Sequence, residues 1–491
     1  MRETTRSIKR ASIPIISAII LGLSPNDLSA QSGPDYLVTA EPLGTITSDF
    51  LRLGLIAAGA YLPDKTVHDV SIYKLTYHTV DVAGNPTVAS GALYVPQSDA
   101  DSLPLISYQH GTIMNRDQVP SNRAEDPPGL FFSGYGYIVA MPDYLGLGDN
   151  PGLHPYLHWE SEATASIDMV RAAREFLLDS LGIKDDALFL AGYSQGGHAT
   201  MAMHRYVHLN QLDEEFSIEA SAPMSGPYAL SGPQFEYIFS KDSTYSGSYF
   251  IPYIIASYQL VYGNLYTDYS QYYDPPYDSI FAAWEASGIF FDNYPIDSFP
   301  ENFYVFMQDS VLDHVFEDPS HPLNEDLREN DLYDWAPKEP VRMLYCGMDL
   351  TVSPENAIFT QEQMNLLGAA DVLSVNVNPD YNHTTCAIPA FMYALEWFDG
   401  FSENGAVSAL TVSEQPVVSL YPNPVSRWLT IETEITDRSM VSILSMDGQQ
   451  VVETPLEGPV QQIDLSRIPK GVYVLTIRSG SYVISRKIVK L

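Results

Sequence analysis

At 491 residues the chain exceeds a single compact core, and two or three domains are expected. An apolar fraction of 45% with 18% charged residues fits soluble globular protein. The net charge of −36 disfavours nucleic acid and anionic membrane as partners, and the acids are spread along the chain as a solvated surface would have them.

The N-terminus carries Arg2, Arg6, Lys9 and Arg10, then an apolar run from Ala11 to Leu23, then a polar stretch ending in Leu28-Ser29-Ala30. This is the layout of a secretory signal peptide over residues 1–30, with cleavage expected after Ala30. The run is short and broken by Pro14, and no later stretch offers the ~20 apolar residues of a spanning helix, so no stable membrane insertion is expected.

Residues 42–62 show helical spacing of apolar residues up to Pro63. Val70 to Val80 and Val88 to Val95 alternate apolar with polar residues across the turn cluster Asp81 to Pro86, which predicts an antiparallel hairpin. Buried-type strands follow at Pro104 to Gln109 and Tyr137 to Pro142, then a helix from about Glu160 to Leu178. After a strand at Ala187 to Ala191, a helix from His198 and a strand around Ile218 to Met224, the rhythm breaks between residues 231 and 335. It resumes with Val341 to Cys346 as strand, Pro354 to Leu367 as helix, Val372 to Val377 as strand and Ala390 to Phe398 as helix. The expected fold is α/β, a mostly parallel sheet with helices on both faces, spanning residues 31–402. Such sheets bind ligands beyond the carboxyl ends of their strands.

The stretch at 231–335 is rich in tyrosine, including Tyr245, Tyr249, Tyr253, Tyr258, Tyr262, Tyr266, Tyr269, Tyr272, Tyr273 and Tyr277. It reads as a helical cap inserted over the strand ends. Its rings either line an acyl pocket or pack the cap's own core. A linker at 403–417 leads to residues 418–491, where short alternating strands at 428–432, 440–444, 461–465, 472–478 and 482–489 predict a small β-sandwich with no chemistry of its own.

The chemistry centres on Gly192-Tyr193-Ser194-Gln195-Gly196, placed between a strand and a helix. A serine hydroxyl is a weak nucleophile and must stand at the tip of a tight turn where a base reaches it. Gly192 and Gly196 are the residues that fit such a turn. An incidental serine in a glycine-rich turn is the bland alternative. The partners should follow in the order acid, then histidine, each after a strand. Asp349 follows Cys346, and His383 follows the next strand, so Ser194, Asp349 and His383 form the candidate triad. Asp371 begins a strand and is a poor rival; His198, His204 and His208 read as packing or surface residues of the nucleophile helix. The rate is expected to fall on the acid side as His383 takes up a proton. Backbone N–H groups of Gln195 and of Thr112, in the loop after the third strand, are the expected oxyanion donors, with Gly111 allowing close approach and His110 shaping its turn. Cys346 lies three residues before Asp349 and Cys386 three after His383, so a disulfide between them would staple the acid loop to the base loop.

From about residue 40 to 400 the chain resembles the α/β-hydrolases, and within them the secretory lipase family that includes the lipase A-type enzymes of yeasts. The matching pieces are Tyr108-Gln109-His110-Gly111-Thr112, Pro142-Asp143-Tyr144-Leu145-Gly146-Leu147-Gly148, His154-Pro155-Tyr156 and Gly192 to Ala199. The resemblance implies a lid ahead of the acid and histidine, and an activity on carboxylic esters without metal or redox cofactor. Residues 418–491 resemble the sorting domain of type IX secretion cargo in Bacteroidota, on Leu420-Tyr421-Pro422-Asn423-Pro424, Gly471 to Leu475 and the basic end Ser485 to Lys490. That implies the type IX machinery as partner and a secreted or outer-membrane surface location. The leading expectation is a secreted serine ester hydrolase acting on a small-molecule or lipid ester. A serine peptidase of the same fold and a non-catalytic surface adhesin are the alternatives.

Overall fold

The computed structural model describes residues 35–239, 245, 247–287, 299–402, 418–433, 435, 439–445, 450–456, 458–479 and 482–491. The expected signal peptide and the 403–417 linker lie outside the described residues. The chain forms two compact units, Met1–Phe391 and Met392–Leu491. Among the described residues no helix is long and apolar enough to cross a membrane.

The first unit is built on nine strands: β1 (Leu37–Ile46), β2 (Val70–Val80), β3 (Pro86–Pro96), β4 (Ser102–Gln109), β5 (Ile138–Pro142), β6 (Lys184–Tyr193), β7 (Ile218–Met224), β8 (Val341–Cys346) and β9 (Val372–Asn378). They lie in the order β1-β2-β3-β5-β4-β6-β7-β8-β9. The first three strands and the β3–β5 pair are antiparallel, and every pair from β5 to β9 is parallel. The hairpin predicted from alternation is β2–β3, paired along its whole length from Val70 with Pro96 to Val80 with Pro86.

The longer helices of this unit are α1 (Ser48–Ala58), α2 (Pro127–Gly134), α3 (Trp159–Phe176), α4 (Gln195–Leu209), α5 (Phe250–Tyr262), α6 (Tyr277–Ser287), α7 (Asp309–Glu317), α8 (Pro322–Glu329), α9 (Glu355–Leu366) and α10 (His383–Ser402), the last running past Phe391. Those that pack on the sheet lie on its two faces, as strand parity shows. Leu103 and Leu105 of β4 pack with Met169 and Ala173 of α3 and Met203 of α4. Tyr108 of the same strand turns the other way, with ring centroids 5.8 Å from Phe132 of α2 and 6.0 Å from Phe391 of α10.

Three expectations need correction. Residues 42–46 are strand, not helix: β1 is a largely exposed edge strand whose apolar residues do not alternate cleanly, so Ile46 joined by chance the periodicity of α1. The boundary signal was Thr47, which caps α1 by accepting from Phe50 N. Because of β1, the His110 loop follows the fourth strand. His383 opens α10 rather than preceding it, since that helix begins seven residues before the predicted Ala390.

The second unit holds β10 (Val418–Tyr421), β11 (Trp428–Thr433), β12 (Met440–Ser445), β13 (Gln450–Pro455), β14 (Val460–Asp464), β15 (Gly471–Ser479) and β16 (Tyr482–Lys490). Two antiparallel sheets, β10-β11-β14 and β13-β12-β15-β16, share a core of Leu429, Ile431 and Ile463 against Val441, Ile443, Leu475 and Ile488. This is a β-sandwich. The strands absent from the prediction, β10 and β13, are both at sheet edges, where alternation is weakest.

Candidate active site

β6 ends at Tyr193 and α4 begins at Gln195, leaving Ser194 alone in the turn with φ 61° and ψ −121°. That backbone is strained for a residue with a side chain and persists only where neighbours enforce it. A Cβ on Gly192 would collide with the Gly196 carbonyl, and one on Gly196 with the Gln109 carbonyl, so both positions require glycine. The Ser194 N–H donates to Met224 O of β7 at 2.9 Å, tying the turn to the sheet.

Asp349 stands in the loop after β8 and is buried. Its Oδ1 accepts from the backbone of Thr351 at 3.0 Å and Val352 at 2.9 Å, which aims Oδ2 at His383. His383 Nδ1 lies 2.7 Å from that Oδ2, and its Nε2 lies 2.8 Å from Ser194 Oγ. With Nδ1–H donating to the carboxylate, Nε2 is left to accept the serine proton. Tyr193 donates its hydroxyl to His383 O at 2.5 Å, so the residue before the serine also holds the histidine backbone. A disulfide joins Cys346 to Cys386, Cα to Cα 5.8 Å, and Gly347 N and Met348 N donate across to Asn378 O and Tyr381 O.

The loop after β4 passes close to the serine: a Cβ on Gly111 would stand 3.7 Å from Ser194 Cβ. The backbone N–H groups of Thr112 and Gln195 donate to no protein group among the described residues. Thr112 Oγ1 lies 2.8 Å from Tyr156 OH. His110 is buried with its ring nitrogens 2.6 Å from Gly111 O and 3.2 Å from Asp143 O, contacts that shape the turn.

Beside Ser194 is a cavity walled on the sheet side by Tyr156, Leu157, Gln195, Pro227 and Val352, and on the cap side by Ile238, Tyr245, Phe250 and Ile254. A second, apolar cavity reaches on to Leu323 and Leu327 and shares Leu230, Gln234, Ile238 and Ile254 with the first. Of the ten tyrosines singled out in the insertion, Tyr245 alone lines the cavity beside Ser194. Tyr253, Tyr258, Tyr266, Tyr272 and Tyr273 are buried in the aromatic core of the cap itself. The cap wall beside Ser194 is divided between aliphatic Ile238 and Ile254 and aromatic Tyr245 and Phe250.

Sequence reasoning passed over Glu162 and treated His198 as a packing or surface residue. Both are fully buried and bonded to each other at 2.7 Å. The available signal was Glu162 on the same helical face as Ser166, Met169 and Ala173, since a carboxylate on a buried stripe must have partners.

Residues 419–491 match the family model of the secretion system C-terminal sorting domain. Comparison with curated proteins gives no match. Among solved structures, the rice cell wall degrading esterase LipA from Xanthomonas oryzae is 30% identical, with TM-score 0.64, the match covering 74% of this chain and 96% of that one. A putative hydrolase from Legionella pneumophila is 26% identical with TM-score 0.67, covering 76% of this chain and 99% of that one. Candida antarctica lipase A, at 14% identity and TM-score 0.53 over 72% of this chain and 78% of that one, shares the fold. With the LipA likeness extending over nearly that whole chain, the protein belongs to the α/β-hydrolase family of LipA-type esterases and carries a secretion sorting domain over residues 419–491.

Proposed function

We propose that the protein is a secreted serine carboxylic-ester hydrolase. The observation that carries this reading is the unbroken hydrogen-bond chain from Asp349 Oδ2 through His383 to Ser194 Oγ, ending at a cavity. Ser194 Oγ attacks the ester carbonyl as His383 Nε2 takes its proton, and Asp349 stabilises the imidazolium. The oxyanion forms where the Gln195 and Thr112 N–H groups can receive it. Collapse breaks the carbon–oxygen bond to the alcohol, which leaves with the proton from His383. Water then repeats the sequence on the acyl-enzyme, releasing the acid and restoring Ser194. No step calls for a metal or redox cofactor.

The wall of Leu230, Gln234, Ile238 and Ile254 limits the depth of the acyl site, which favours short acyl groups. The LipA relative degrades rice cell wall, so plant-wall esters join simple lipids as substrates to test. We read residues 1–30 as the signal for the first membrane and the sorting domain as the address for type IX export to the surface or the medium. Hydrolysis of p-nitrophenyl esters from acetate to palmitate tests the reading, with Ser194→Ala as control. Turnover of the short esters, lost in the variant, is the expected result; folded protein inactive at every length would overturn it.

A further inference from the structure

Beneath the elbow is a set of polar side chains to which acyl transfer assigns no task. Glu162, in the first turn of α3, is fully buried, as is His198 in α4. A carboxyl group taken out of water needs hydrogen-bond partners in its place. Oε2 of Glu162 lies 2.7 Å from His198 Nδ1, and Oε1 accepts from Gln195 Nε2 at 2.9 Å. His198 Nε2 lies 3.1 Å from Asn330 O. His198 thus bridges the Glu162 carboxyl group to the Asn330 carbonyl, and each of its ring nitrogens has a partner.

The same accounting fixes Gln195. His154 Nδ1 is 2.8 Å from Leu145 O and therefore carries the proton, leaving Nε2 an acceptor 2.7 Å from Gln195 Nε2. Burial holds the His154 pKa down at about 3, so the ring stays neutral. Both amide protons of Gln195 are thus taken, one by Glu162 and one by His154. A reversed amide would set its oxygen against two acceptors. The Gln195 side chain has one allowed orientation, and its backbone N–H is the first one after the strained Ser194.

We propose that Glu162, His198 and His154 are positioning residues that work through the Gln195 side chain to aim its backbone N–H at the oxyanion. The inference rests on the ester-hydrolase reading. Ser194 N–Met224 O restrains the turn from the strand side, and the clamp on Gln195 restrains it from the helix side. A donor displaced by about 1 Å is enough to cost ~10²-fold in rate.

The test uses the full-length protein, p-nitrophenyl acetate turnover and the rate at which a fluorophosphonate labels Ser194. Glu162→Gln keeps the volume and leaves only one of the two side-chain oxygens that order its partners. Its kcat is expected to fall about tenfold with KM within about twofold, and labelling to slow in the same ratio. Gln195→Leu keeps the backbone N–H and is expected to lose as much. The decisive variant combines the two: if Glu162 acts through Gln195, the double variant loses no more than Gln195→Leu alone. Losses that multiply, or a folded Glu162→Gln with wild-type kcat, overturn the proposal. Should Glu162→Gln fail to fold, His154→Gln carries the same cycle on the other anchor. A wild-type protein that neither turns over ester nor is labelled overturns the hydrolase reading and this one with it. Active wild type beside unaffected variants overturns this one alone.

Discussion

Ser194, Asp349 and His383 are held by directional bonds, whereas the cap wall facing them is held by rings packed on rings. On the sheet side, Asp349 takes two backbone N–H bonds, Tyr193 grips the His383 carbonyl and Ser194 N is tied to β7. On the cap side, Tyr266 meets Tyr269 at 4.9 Å and Tyr273 meets Phe281 at 4.6 Å. The hydroxyls of Tyr266, Tyr269 and Tyr273 have no partner among the described residues. As the proposed reaction centre, these three residues tolerate little displacement and so need bonds with direction. A pocket wall needs shape, which non-directional packing supplies. Changes on the sheet side should therefore reach the rate, and changes in the cap should reach selectivity and stability.

The largest expected effect is on the sheet side. Asp349→Asn keeps the size of the side chain but no longer holds His383 in the tautomer that leaves Nε2 free to accept. Its kcat on p-nitrophenyl acetate should fall about 10³–10⁴-fold with little change in KM. A loss under about tenfold would mean that another group orients the histidine.

This sheet-side geometry was largely legible in the sequence, and the reason is topological. Ser194, Asp349 and His383 each follow a strand whose apolar run marks it, so counting strands in order was enough to select them. The Cys346–Cys386 spacing came with the same logic. Glu162 and His154 were not legible as a pair, because they reach Gln195 from α3 and from the loop before it, and nothing local in the sequence records that meeting. The cap was legible as an interruption but not in its packing: its aromatic density is compatible with a lined pocket and with a filled core, and burial decides for the core.

Burial also marks the sheet side in its response to pH. Asp143, after β5, is fully buried, and that burial pushes its pKa up to about 6 against the bonds from Ser90 Oγ and Ser121 N. The unfolded chain ionises this group near 3.8 and the folded chain near 6. Its contribution to stability is therefore fully present below 3.8 and lost as pH rises through 6. Asp143→Asn removes that dependence. Between pH 4 and pH 7 the stability of the variant relative to wild type should rise by at most roughly 3 kcal/mol, read from denaturant midpoints at the two pH values. A constant difference would show that Asp143 is ionised throughout.

A cap change tests the other half of the contrast. Ile254 stands in the wall shared by the two cavities, so Ile254→Ala should join them. The ratio of kcat/KM for octanoate over acetate esters should rise about tenfold, the scale of one methylene contact, while kcat on acetate stays within about threefold. A fall in kcat with no change of preference would place Ile254 in support of the reaction centre instead.

The smallest effect separates rings from hydroxyls within the cap. Tyr273 is fully buried and its hydroxyl has no partner among the described residues, while its ring packs on Phe281. A buried hydroxyl without a partner weakens the fold, so Tyr273→Phe should leave kcat unchanged and raise stability by about 1 kcal/mol. Tyr245 is the counterpart, since its hydroxyl donates to Thr351 O at 2.9 Å and ties the cap to the acid loop. Tyr245→Phe should lower stability by about 1 kcal/mol. Opposite signs from the same chemical change would show that ring packing holds the cap around Tyr273, while the Tyr245 hydroxyl adds a bond of direction where the cap meets the acid loop. Equal losses would mean that hydroxyl contacts hold the cap throughout, and the two walls of the cavity would then differ in composition alone.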